Sequence, residues 1–155
     1  MKPFHLLGAS LAAGCLAIAL ASPAAASDSA QEAENVRKLD IMLMVSSLRC
    51  RYGAYDFRAD YQRFSERHMP TLTRAYDTLH RDFARVHGHG EAKRALDRIS
   101  VGMANQYGQG HPWLDCSDLR EATRDLAERA SGQDLYPAAM ELLSDGTGSY
   151  LAARR

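Results

Sequence analysis

Three histidines offer the first chemistry in this 155-residue chain. His87 and His89 flank a single glycine, and His80 stands one or two helical turns upstream. Imidazoles suit zinc or copper in an exported protein, yet a His-x-His at a helix end lacks a ligand set of fixed geometry. The reading is therefore of solvated surface histidines, with no metal or other cofactor. A second group is more suggestive. Asn105, Tyr107, His111 and the only tryptophan, Trp113, fall in one Gly/Pro-containing stretch that runs into Cys116. Aromatic and polar groups on a loop fixed at one end are what a small-ligand or partner site needs. The competing reading makes Trp113 a plug over the bundle end, with Gly108 and Gly110 serving the turn alone. His68 falls on an apolar face and reads as a core histidine. No Gly-x-Ser-x-Gly elbow or phosphate loop occurs, and the Gly-x-Gly pairs at Gly88, Gly108 and Gly146 follow no apolar strand. Catalytic residues stay unassigned, and the balance leans away from an enzyme.

The cysteines place these groups in a compartment. Met1 and Lys2, an apolar stretch to Ala21, then Ser22-Pro23-Ala24-Ala25-Ala26-Ser27 form the charged, apolar and small-residue zones of a secretory signal cut between Ala26 and Ser27. The expected location is periplasmic or secreted. A minor alternative is a lipoprotein, because Ala12-Ala13-Gly14-Cys15 permits cleavage before Cys15 and its acylation. The stretch is too short and too rich in Ala and Gly to span a membrane. After the signal two cysteines remain, Cys50 and Cys116, and an oxidising compartment makes one disulfide the natural reading. Two buried free thiols are the alternative. A catalytic dithiol would favour Cys-x-x-Cys spacing, which is absent.

Charge is balanced, with 19 Lys+Arg against 19 Asp+Glu, so no net field draws the protein to nucleic acid. The arginines are spread along the chain rather than clustered. Partners are thus expected among envelope proteins or small ligands, and self-association is left open.

The elements that must position the histidines and the loop are all helical. Val36, Leu39, Met42 and Leu43 recur at helical spacing after Asn35, and Ile41 to Val45 is apolar all round, which places this helix centrally. Phe57, Tyr61, Phe64, His68, Leu72, Ala75/Tyr76, Leu79, Phe83 and Val86 form one long face that Pro70 either kinks or breaks. A third helix spans 91–106, with Ala92, Leu96, Ile99 and Met103 inward. Asp115 caps a fourth, with Leu119, Ala122, Leu126 and Ala130 inward, and a short fifth covers 134–144. The expected fold is an all-α, disulfide-stapled bundle of about five helices, Cys50 at the end of the first bridged to Cys116 at the start of the penultimate. Its bounds are signal 1–26, flexible N-terminal segment 27–34, helical domain 35–144 and loose tail 145–155.

The stretches Asn35 to Val45, Ser47 to Arg51, Asp60 to Phe64, Ala95 to Val101 and Met103 to Cys116 resemble a family of small exported proteins of sphingomonad-type alphaproteobacteria. The resemblance covers most of 35–130 and implies an exported helical protein without an established activity. Some members carry a label of S-adenosyl-L-homocysteine hydrolase. That is a large cytosolic enzyme with a Rossmann domain, whereas this chain has neither a βαβ pattern nor a dinucleotide fingerprint. The leading expectation is a non-enzymatic envelope binding or chaperone-like module; a small envelope hydrolase is the alternative.

Overall fold

A helix that is apolar on most sides needs neighbours on most sides, and the computed structural model, which describes residues 23–144, supplies them. The described residues form five helices and no strand: α1 (Pro23–Arg49), α2 (Arg58–His87), α3 (His89–Tyr107), α4 (Cys116–Glu128) and α5 (Tyr136–Leu143). α1 packs against all four others, with Leu39, Ile41, Met42 and Leu43 buried along it. The charged and apolar zones of the signal over 1–22, the alternative acylation at Cys15 and the loose tail 145–155 lie outside the described residues.

α1 begins at Pro23, well ahead of Asn35. The segment 27–34, expected to be flexible, is helical instead. Its alanines and glutamates are good helix formers, Pro23 is tolerated in a first turn, and Ala33 is buried in the core. The Ala26–Ser27 bond lies in the opening of this helix.

α2 runs unbroken through Pro70. The proline faces solvent while Phe64, His68, Thr71, Leu72, Ala75 and Leu79 are buried on the opposite side. Burying such side chains contributes roughly 1.5–3 kcal/mol for each large apolar one, more in sum than the roughly 3 kcal/mol that an interior proline costs. Val86, expected inward, is exposed, because the end of α2 and the start of α3 run past the core: residues 85–91 are all exposed. A single residue, Gly88, separates these helices at φ 82°, a backbone state glycine adopts without a Cβ penalty.

α4 opens as expected. Asp115 accepts from the backbone amides of Ser117 and Asp118, and Asp118 returns the bond to the Asp115 amide, a reciprocal cap that satisfies donors the helix cannot. The helix stops at Glu128, so Ala130, expected inward, is exposed beyond it. Cys50 and Cys116 are bonded with their Cα atoms 5.8 Å apart, joining the end of α1 to the first residue of α4. The expected pairing is the one formed.

Candidate functional site: the bundle end beside the disulfide

The loop between α3 and α4 is held by three attachments. Gly110 donates its amide to the Tyr107 carbonyl at 3.0 Å. The disulfide fixes the far end at Cys116. Between them, His111 Nε2 donates to the Leu142 carbonyl of α5 at 3.0 Å while its Nδ1 accepts the Leu114 amide at 3.2 Å. These partners require the neutral Nε2–H tautomer, and burial of the ring lowers its pKa below the usual 6.5, favouring that form. Tyr107 stacks against the imidazole with ring centroids 5.5 Å apart, and Trp113 meets it edge-on at 5.0 Å.

These contacts leave Trp113 42% exposed. It lines a cavity of about 430 Å³ together with Ser46 and Arg49 of α1, Cys50 just beyond it, residues 109–116, and Leu119 of α4. The indole does not plug the bundle end; it stands at the rim of an open depression. A second depression, about 350 Å³, lies on the other side of the disulfide among Tyr52, Gly53, Ala54 and Tyr55.

Of the four residues expected to form the site, two do. His111 and Trp113 line the cavity, His111 as the loop's clamp rather than a free polar group. Tyr107 is the last residue of α3 and only 2% exposed, because the helix runs one residue further than expected and turns this ring into the core. Burial raises its pKa. Asn105 sits on the exposed side of α3, away from the cavity lining, since it lies half a turn from Tyr107.

The three histidines do not converge. His80 stacks on Tyr76 and His87 on Phe83. His80 and His89 border a broad groove of about 680 Å³ whose other walls include Thr78, Arg81 and Arg85. Among the described residues no group of three or more His, Cys, Asp or Glu side chains stands where it would hold a metal ion. His68 is a core histidine as expected: its Nε2 donates to the Leu126 carbonyl at 2.8 Å, near the end of α4.

Several polar residues at or near the core carry no signal in the linear sequence. Ser46 and Arg49 lie in the last turn of α1, beside Cys50 at the cavity, and the exposed Arg49 guanidinium lies against Gly110. Asp60, buried on α2, pairs with Arg63 and is approached by Arg124 at 3.8 Å and Arg120 at 4.0 Å from α4. Sequence spread therefore hid a cluster that the α2–α4 packing creates. Between α1 and α2, Asp40 accepts from the Tyr61 hydroxyl at 3.0 Å and pairs with Arg37; burial raises the pKa values of both Asp40 and Tyr61.

No helix among the described residues is long and apolar enough to cross a membrane. Comparison with protein-family models, with characterised proteins and with solved structures finds no match to this chain.

Proposed function

We propose that the protein is a non-enzymatic binding module of the cell envelope, working in the periplasm or outside the cell, and that it captures its partner or ligand at the bundle end. The observation that carries this reading is the exposed Trp113 ring at the rim of a cavity braced by a disulfide. Binding energy concentrates in aromatic anchors seated in pre-ordered surroundings, and this loop is tied to α1 and α4 by the bridge and to α5 by His111. The secretory pattern around Ala26 and Ser27 and the Cys50–Cys116 bridge support an oxidising compartment.

The alternative, a small envelope hydrolase, needs a base free to take a proton. His111 is the imidazole lining the same cavity as Ser46, and its two nitrogens are committed to backbone groups.

The test is a pull-down from envelope extract with wild type and Trp113→Ala, alongside their melting curves. Loss of the captured partner with the fold intact supports the reading; the same partners in both lanes overturn it. Fractionation with N-terminal sequencing should return Ser27 as the first residue, and fatty-acid labelling would instead expose a Cys15 lipoprotein.

A further inference from the structure

We propose that the bundle-end cavity takes a carboxylate attached to a flat apolar group, with Arg49 pairing the carboxylate and Trp113 covering the flat group. This rests on the reading of the bundle end as the binding site. The other arginines near buried carboxylates are spent on them: Arg37 on Asp40, and Arg63, Arg120 and Arg124 on Asp60. Arg49 is exposed and makes no hydrogen bond or ion pair among the described residues, yet its side chain lies against the loop. Its Nε and Cζ would lie 3.1 and 3.4 Å from a Cβ on Gly110, so the guanidinium rests on bare backbone that a side chain would crowd by a few tenths of an ångström. A positioned guanidinium without a carboxylate is a ready fork for one.

Ser46 adds an independent sign. Its residue is 1% exposed, it lines this cavity one turn before Arg49 and Cys50, and its hydroxyl has no hydrogen-bond partner. Buried hydroxyls without partners are rare and costly, and turning this one toward the cavity, about χ1, would offer it a ligand oxygen. The charge count selects the anion. Asp115 also lines the cavity, with its carboxylate engaged by the amides of Ser117 and Asp118. One free cation beside one anion suits a monoanionic carboxylate better than a dianionic phosphate. The volume of about 430 Å³ falls within the range of small-molecule sites, and the end of a peptide chain would present the same chemistry as a free organic acid.

Trp113 is the sole tryptophan, so its emission reports the site directly. Phenylacetate, phenylacetamide and phenethylamine share a shape and differ in charge. The full mature protein titrated with each should respond saturably to phenylacetate and at least about tenfold more weakly to the other two. Arg49→Gln should erase the preference while leaving the melting curve in place, and inorganic phosphate should not compete. A tripeptide ending in phenylalanine, offered as free acid and as amide, separates the two sources: tight binding of the acid alone marks a chain terminus, and equal or weaker binding than phenylacetate marks a small acid. Equal response to all three charge forms, an unchanged preference in Arg49→Gln, competition by phosphate, or no response to any probe overturns the proposal. If the charge series is flat while Trp113→Ala still loses its captured partner, the carboxylate falls and the binding site stands.

Discussion

Opening the Cys50–Cys116 bridge should cost about 4 kcal/mol of stability and should unfasten the bundle end first. The bridge spans 66 residues, and in the chain-entropy model a cross-link of that length removes about 4 kcal/mol of freedom from the unfolded chain at 25 °C. The folded side adds a smaller share when both cysteines become serine: Cys116 is partly exposed, and only the 6%-exposed Cys50 puts a new hydroxyl near the core, at a further cost of about 1–3 kcal/mol where it finds no partner. Against a net stability of roughly 5–15 kcal/mol for a domain this size, the loss is large without being fatal in the middle of that range. The loss is also localised. α4 packs on α2 and α1 through Leu119, Ala122 and Leu126 and shares no close backbone approach with α3 or α5, so without the bridge its first turn and the loop from 108 to 115 keep the His111 clamp, the Gly110–Tyr107 bond and the Asp115 cap. Urea unfolding followed by circular dichroism, with native protein and with the Cys50→Ser/Cys116→Ser double variant, measures the loss; at a slope of about 2 kcal/mol per molar urea the midpoint should fall by at least about 2 M. Trp113 emission should change before the helical signal does. A midpoint shift under about 0.5 M, or tryptophan and helix signals that coincide in the double variant, would refute this account of what holds the loop.

His68→Leu should change stability by less than about 1.5 kcal/mol while His68→Ala costs about 2–5 kcal/mol, because leucine fills the space, removes an Nδ1 that has no partner, and leaves the Leu126 carbonyl the Arg129 amide at 3.2 Å; thermal melts of the two variants decide it. His111 carries a pH signature. Burial lowers its folded pKa below 6.5, so the unfolded chain binds a proton that the folded loop refuses; this contribution is full above about pH 6.5 and is lost as pH falls through the window between the two values. Replacing the ring in His111→Asn should flatten the stability profile from about pH 7 to 5. Gly110→Ala should cost about 1–3 kcal/mol, since φ is 118°, and should displace Arg49; calorimetry reads the first effect and a weakened Trp113 response to phenylacetate the second.

The helix order, the disulfide and the Asp115 cap could be read from the sequence because each rests on local spacing: three- and four-residue apolar steps, two cysteines left after the signal, one acidic residue before an apolar run. The misses occur where a local pattern continues but its covering neighbour does not. Val86 and Ala130 keep helical phase, yet α2 has run past the core at one and α4 has ended before the other. The start of α1 erred the other way: small polar residues looked like a loose end, and the burial of Ala33 against the bundle shows they are a docked helix. For the site, the indole and imidazole were visible because rare residue types cluster in one stretch. Arg49, Ser46 and the arginines around Asp60 were not, since those partners come from helices far apart in sequence, and nothing in the chain order announces which of many arginines will lack a carboxylate.

Why the loop should be built this way follows from what its attachments achieve. A loop whose only task is to connect α3 to α4 needs neither a bridge nor a histidine with both nitrogens engaged, and it has every reason to turn its tryptophan inward, where full burial would contribute several kcal/mol. Here the inward place is taken by Tyr107, at 2% exposure, while Trp113 keeps 42%. The clamp by His111, the bond from Gly110 to Tyr107 and the disulfide fix three points of the loop on three sides, so ordering the indole is already accounted for in the folded state. The cost of binding then falls mainly on the ligand's own freedom. The groove beside His80 and His89 is larger, but its lining carries no such fixed loop and no exposed indole. Size alone favours that groove; pre-ordering, an unpaired guanidinium and a partnerless buried hydroxyl together favour the bundle end.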